Sequence, residues 1–280
     1  MSDTRRLLVF GTSVDAVVDD PLAEHLLHSL DDLRAGDDDG SAGPADHLLT
    51  VHHHGVEWAV SWDGADRYRG PEADLALYDA LIALNHHAAG VAAESGASVL
   101  HGGAVAIGGR AVVVVGHSGR GKSTLTTALT RAGHPFLADE VVAVDAGFVV
   151  RAFHRPIGLR RGGAATLGLA VPEGPYGYIH PYRVGERDAL ATSAPLALAA
   201  LLVRDDEAET PRLERLASAV ALFQLANQAL GTADLEREMF RRLDTLVRRI
   251  PVFELHYAEI GQAVALLEDV EGWSQTELVP

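Results

Sequence analysis

The chain contains no cysteine, and of its 23 basic residues only Lys122 is a lysine. Without a thiol there is no disulfide, no thiolate metal site and no cysteine nucleophile. Positive charge is scarce: 23 Lys and Arg against 39 Asp and Glu leave a formal net charge of −16. No Lys/Arg cluster forms a basic stripe, which speaks against general nucleic-acid binding. Long apolar runs are missing too. The longest candidate, Ala194 to Val203, falls short of the ~20 residues that span a bilayer and reads as a core strand. The opening Met1-Ser-Asp-Thr-Arg-Arg leads into a short apolar run without the shape of a signal peptide, so no membrane association and a cytoplasmic location are expected. The lone lysine is informative: a bias toward arginine has spared the one position where a compact ammonium suits a phosphate better than a planar guanidinium does.

That position lies in the stretch around which the chain is organised. Ala111 to Val115 reads as a buried strand, Gly116 to Gly121 as a glycine-rich turn, and Lys122 to Arg131 as a helix. Gly116, Gly121, Lys122 and Ser123 satisfy G-x-x-x-x-G-K-[ST] with the strand before and the helix after that the motif requires. Glycines let the backbone curl so that successive N–H groups face phosphate oxygens, and the helix start adds partial positive charge. A nucleotide contact is therefore expected from Gly116, His117, Ser118, Gly119, Arg120, Gly121, Lys122, Ser123 and Thr124. Lys122 would reach the β/γ-phosphates and the Ser123 hydroxyl would bind Mg²⁺.

At 280 residues the chain has room for one large domain, or a core domain with a smaller partner. Residues 1–95 read as a small α/β accessory or substrate-recognition domain. It has a strand over 5–10, an amphipathic helix from Pro21 to Arg34 and a polar Gly/Asp-rich loop from Ala35 to His47. A hairpin of Leu48 to His53 with Val56 to Trp62 and a long helix from Pro71 to Glu94 complete it. His52, His53 and His54 alternate across a strand, so only two could share a site; they, and His86 and His87, read as surface or packing residues.

Residues 96–280 read as the catalytic domain. Val99 to Ile107 leads by hairpin into the phosphate-loop strand, and Phe136 to Glu140 carries two acids at a strand end. Val141 to Asp145 and Phe148 to His154 form another hairpin. Pro156 to Asp188 is a long segment without period, with an aromatic run (Tyr176, Tyr178, Tyr182, with His180) of the kind found near a site. Leu196 to Val203 is a strand, Leu213 to Ala229 and Ala233 to Arg249 are helices, Val252 to Tyr257 is a strand and Glu259 to Asp269 a last helix.

A phosphate loop alone says nucleotide, not reaction. Asp139 and Glu140 supply the discriminating chemistry. An acid at a strand end beside the loop can hold Mg²⁺ or accept the proton of an attacking hydroxyl. Adjacent acids on extended chain point opposite ways, so the pair covers two roles only if the chain bends there.

His101-Gly, the Gly116 to Ser123 loop, Arg131-Ala-Gly-His134 and Leu137-Ala-Asp-Glu-Val-Val142 together resemble the HPr kinase/phosphorylase catalytic domain. The resemblance is closer to the wider group of HPr kinase-like proteins than to the sugar-regulation enzyme. It is strong over 98–155 and looser to 270. It implies an α/β P-loop kinase domain of the HPr kinase type with a mixed central sheet, using ATP and Mg²⁺, and oligomerisation is expected on this ground alone. It also implies Asp139 as general base, Glu140 with Ser123 at the metal, Lys122 on the transferred phosphate, and His101 hydrogen-bonded to phosphate or the catalytic acid.

Two departures matter. The family's Glu-Ile-Arg-Gly signature is replaced by Arg155-Pro-Ile-Gly-Leu-Arg-Arg-Gly-Gly163, which lacks a carboxylate and offers Arg155 and Arg160 as phosphate or acceptor contacts. The first 95 residues do not resemble that family's N-terminal domain, which speaks against HPr as the substrate. Relatives with replaced front ends include kinases of serine in peptide natural products. The leading expectation is a kinase acting on a hydroxyl of a peptide, protein or small molecule. A nucleotide-binding regulator without transfer and a plain P-loop ATPase stay open beside it.

Overall fold

A computed structural model describes residues 3–19, 30, 33, 43–170, 179–182, 184, 189–205, 210–231, 236–269 and 273. It begins with strands β1 (Asp3–Val9), β2 (Thr12–Val18), β3 (His47–His54), β4 (Glu57–Trp62) and β5 (Ala65–Gly70), joined in sequence order into one sheet. The β1–β2 turn at Phe10-Gly11 and the β4–β5 turn at Asp63-Gly64 place both residues at positive φ, the two-residue hairpin geometry whose twist matches the strands it joins. β2 and β3 run parallel; the other neighbours in this sheet are antiparallel. Alternation sends Leu7, Val9, Val14, Ala16, Val18, Leu49 and Val51 to one buried face. Helix α1 (Ala73–Glu94) packs on β3, β4 and β5 through Leu77, Ala80, Leu81 and Leu84. Strands β2 and β5 are additions to the sequence expectation. The helix expected over 21–34 lies outside the described residues except for Leu30 and Leu33, as does most of the loop over 35–47.

The chain then builds β6 (Ser98–Leu100), β7 (Gly102–Ile107), β8 (Arg110–Val115), helix α2 (Lys122–Arg131), β9 (Phe136–Asp139), β10 (Val142–Val144) and β11 (Val149–Arg151). A two-stranded sheet, β12 (Ile157–Arg160) with β13 (Ile179–Tyr182), brackets the short helix α3 (Arg161–Thr166). Last come β14 (Ser193–Arg204), β15 (Arg212–Arg215), α4 (Ser218–Ala226), α5 (Glu236–Val247), β16 (Val252–Tyr257) and α6 (Ile260–Glu268).

The nine-stranded sheet follows the order β6-β10-β11-β14-β8-β7-β9, with β16 also on β14 and β15 on β16. It is mixed: β8, β14 and β16 are parallel, while β7 runs antiparallel to both of its neighbours, β8 and β9. The molecule is therefore a mixed α/β protein. Val112 and Val114 of β8 face Leu125 and Leu129 of α2 and Ala263 and Leu267 of α6, while Ala111, Val113 and Val115 join the opposite core. That opposite core is continuous with the α1 and first-sheet cluster. β8 is thus covered on both faces, which is why it reads as an unbroken apolar run. Among the described residues no helix is long and apolar enough to cross a membrane.

Two expectations are corrected. The segment over 156–188 is not without regular structure, because its first residues pair as β12 with β13 and turn into α3. Strands of four residues rich in Gly and Pro carry too few alternations to register as a period. The helix expected from Leu213 to Ala229 starts only at Ser218. Arg212–Arg215 instead pairs antiparallel with β16, and tertiary pairing overrides the helical apolar spacing.

Glycines govern how near α2 comes to the sheet. A Cβ on Gly103 of β7 would overlap the Thr126 hydroxyl of α2, whereas a Cβ on Gly90 of α1 would meet nothing within 4 Å. Gly103→Ala is expected to destabilise by about 1–3 kcal/mol through overpacking. Gly90→Ala should stabilise by roughly 0.5–1 kcal/mol through reduced unfolded-state entropy and better helix propensity. Chemical unfolding of both variants checks the pair, and equal midpoints would refute the close α2–β7 approach.

Candidate active site

The site forms where parallel β8 ends. Gly116, Gly119 and Gly121 take φ of 146°, 82° and 96°, conformations that side chains resist, and these let the main chain curl into the start of α2. Gly121 caps α2, and no side chain occupies the cap. The first N–H groups of the helix therefore face outward without the usual hydroxyl or carboxylate acceptor. Tyr257, at the end of β16, donates its hydroxyl to the Arg120 carbonyl at 3.0 Å and braces the turn from below. Arg160 donates from Nη2 to Ser118 Oγ at 2.9 Å and covers the turn from the β12 side.

Lys122 is 7 % exposed, and its ammonium donates to the Gly116 carbonyl at 2.8 Å and lies 3.5 Å from that of His117. Burial pulls its pKa below the usual lysine range, and the negative charges of Glu140 and Asp139 oppose that pull. Ser123, next along the helix, donates Oγ to Asp139 Oδ2 at 3.1 Å, and the Gly158 N–H of β12 approaches the same oxygen at 3.3 Å. α2, β9 and β12 thus converge on one carboxylate. Asp139 is 1 % exposed, and its register partner on β7 is Gly103, whose missing side chain leaves the room.

The next residue turns away. Glu140 has φ 71°, a left-handed conformation that costs a non-glycine residue on the order of 1–3 kcal/mol. This is the bend that lets two successive acids serve one site. Glu140 Oε2 meets His101 Nε2 at 3.0 Å. His101 sits where the chain leaves β6 for β7, and Glu140 where it leaves β9 for β10. β6 pairs with β10 and β7 with β9, so the pair stitches two chain crossings together. The His101 backbone N–H donates to the Gln228 carbonyl at 2.7 Å and holds the main chain at this crossing.

The two carboxyls are driven apart electrostatically. Burial, then the neighbouring Glu140, pushes Asp139 up to about 7 against the pull of Arg155, Ser123 and Gly158. Burial also raises Glu140, but the His101 hydrogen bond and the charges of Arg155, His101 and Lys122 outweigh it and hold this acid well below the usual range. Arg155 is 4 % exposed and acts on both acids, while its Nε has no hydrogen-bond partner among the described residues.

The structure therefore brings Lys122, Ser123, Asp139, Glu140, His101, Arg155 and Arg160 to one end of the sheet. Within it the Ser123 hydroxyl meets Asp139, and the partner of His101 is Glu140. Of the aromatic run, Tyr182 lies on β13 with His180, while Tyr176 and Tyr178 fall outside the described residues. Sequence reasoning missed Tyr257, Gly103 and Gly158. The signal for Tyr257 was its place at the end of a parallel strand; Gly158 acts through a backbone N–H, which no side-chain motif reveals.

The residues fit a nucleotide and a hard divalent cation. The uncapped helix start suits an anion, a hydroxyl and carboxylates are the oxygen donors Mg²⁺ takes, and Arg155 Nε is a buried donor without a hydrogen-bond partner among the described residues. No protein-family model and no curated protein sequence matches the chain. Among solved structures it is similar to the HPr(Ser) kinase/phosphatase from Coxiella burnetii, at 15 % identity over 63 % of this chain and 95 % of that one, with a TM-score of 0.35. The likeness is distant.

Because the folded state raises the Asp139 pKa, it holds a proton that the unfolded chain releases near pH 4. The stabilisation is full below that value and is lost as pH rises toward 7. Asp139→Asn removes the ionisation, so its thermal midpoint is expected to exceed wild type by more at pH 8 than at pH 5. A difference independent of pH in thermal unfolding would show that Asp139 does not carry the buried proton.

Proposed function

We propose that the chain is an ATP-dependent phosphotransferase delivering the γ-phosphate to a hydroxyl, with serine of a peptide or protein as the leading acceptor class. The observation that carries this reading is the buried Asp139 carboxylate on the Ser123 hydroxyl, at the mouth of the glycine turn. A carboxyl pushed up to about 7 is matched to taking a proton from an alcohol near neutral pH. Glu140, held ionised, keeps a fixed negative charge beside it.

In this reading the N–H groups of 118–123 cradle the β-phosphate and Lys122 leaves the Gly116 carbonyl for the β/γ-phosphates. Asp139 orients the acceptor hydroxyl and receives its proton. His101 holds Glu140 in place, and Arg155 and Arg160 balance charge around the transferred group. Ser123 with Glu140 would hold Mg²⁺, which supplies charge neutralisation on the phosphate oxygens. The work is positioning and electrostatic stabilisation, as phosphoryl transfer requires. Residues 1–95 then serve as the accessory or acceptor-recognition part. Nucleotide binding or hydrolysis without an acceptor is a second reading, favoured by Arg155 standing against the acid pair where a carboxylate would be a further metal ligand.

Labelled ATP offered with serine peptides and small alcohols separates the readings: transfer of label supports the kinase, and free phosphate alone supports the ATPase. Lys122→Ala is expected to abolish nucleotide turnover. Asp139→Asn should keep ATP binding while transfer falls by about 10²–10⁴-fold, and Glu140→Gln should chiefly raise the Mg²⁺ needed. Full transfer by Asp139→Asn would refute the base, and an equal rise in Mg²⁺ demand in both variants would move Asp139 to the metal.

A further inference from the structure

The first sheet carries a second constellation, on the face turned away from the apolar core and apart from the glycine turn. β2 and β3 are parallel with Val18 opposite Val51, so the residue following β2, Asp19, falls beside His52. The His53 N–H donates to Asp19 Oδ1 at 2.9 Å, and Asp19 Oδ2 meets His52 Nδ1 at 2.7 Å. Both carboxylate oxygens are thus placed by β3. The two-residue period of the strand puts His54 on the same side as His52, with ring centroids 5.8 Å apart and planes inclined by 22°. His53 points the other way and stacks on Trp58 at 4.4 Å, so the middle residue of the run anchors the strand while its neighbours face solvent.

We propose that Asp19, His52 and His54 form a binding site for a transition-metal ion of the zinc class. One donor atom from each of the three lies within 4.8 Å of the others. A four-coordinate ion with bonds of about 2.0–2.2 Å needs donors roughly 3.4 Å apart, which rotation of the exposed His54 ring and opening of the His52–Asp19 contact provide. Two imidazoles and one carboxylate, with a fourth position left to water, suit Zn²⁺ and its neighbours and do not suit Mg²⁺. The donor set therefore differs in kind from the all-oxygen set at Ser123 and Glu140, and the proposal is independent of the phosphotransfer reading.

A second cluster, Glu214, Glu254 and His256 on β15 and β16, also has its donors close together. There Arg212 already bonds Glu214, and a fixed guanidinium competes with any cation. At Asp19, among the described residues, the side chains that act on the carboxylate are the histidines themselves. An ion here would tie the end of β2 to the end of β3 across the crossover of residues 20–46, and binding only the folded chain would add to its stability.

The test is titration of ZnCl₂ into the metal-free full chain by calorimetry, with Co²⁺ absorption as the report on the ligands. One ion per chain, with a dissociation constant of about 10 µM or tighter, is expected, together with visible Co²⁺ bands of a four- or five-coordinate nitrogen and oxygen site. Asp19→Asn, which keeps an oxygen for the His53 N–H, and His54→Ala, at an exposed position, should each weaken binding at least about tenfold and bleach the Co²⁺ bands. His256→Ala should leave both readings unchanged. Absence of Zn²⁺ binding up to about 100 µM, or binding that survives Asp19→Asn and His54→Ala, or binding that falls with His256→Ala, would overturn the proposal.

Discussion

Two carboxylates that follow each other in the chain meet at one strand end, Asp139 buried and Glu140 partly exposed, and most of the second sheet's local geometry answers that constraint. Like charges so close cannot both stay ionised away from water without compensation. One remedy is conformational: the left-handed Glu140 sends its side chain to His101 while Asp139 stays with Ser123 and Gly158. The other is electrostatic, through Arg155 buried against both. The outcome is a division of labour by environment, one acid able to carry a proton and its neighbour held as an anion.

The scaffold around this pair leaves little room for adjustment. β8 is packed on both faces, and parallel β14 and β16 bring Tyr257 beneath the glycine turn. Gly103 and Gly163 allow β7 and α3 to approach α2 more closely than any other residue would, since a Cβ at either would collide with a threonine hydroxyl of α2. Fixed elements, not loops, therefore place Ser123 and Asp139, and orientation costs little at the moment a ligand arrives.

Much of this was legible in the sequence because the signals were local. The run Ala111–Val115, the G-x-x-x-x-G-K-S spacing and the apolar helix stripes each encode one element by period or by backbone demand, and β8, α1, α2 and β16 fall where those signals put them. The α/β class was legible in their order, whereas the mixed direction of the sheet was an expectation from the resemblance alone. What was hidden depends on partners distant in the chain. β15 exists because β16 lies beside it, β12 because β13 returns to it, and the pairing of His101 with Glu140 follows from two strand crossings that no spacing rule describes. The bend at Glu140 could be named as a requirement from sequence, but its place on the second acid is a property of the folded chain.

The ammonium of Lys122 resting on the Gly116 carbonyl has a consequence for selectivity. If the turn takes the nucleotide proposed above, the ammonium must give up or share this short buried contact, and a chain of linked phosphates, with several strongly charged oxygens, compensates that loss better than a singly charged anion does.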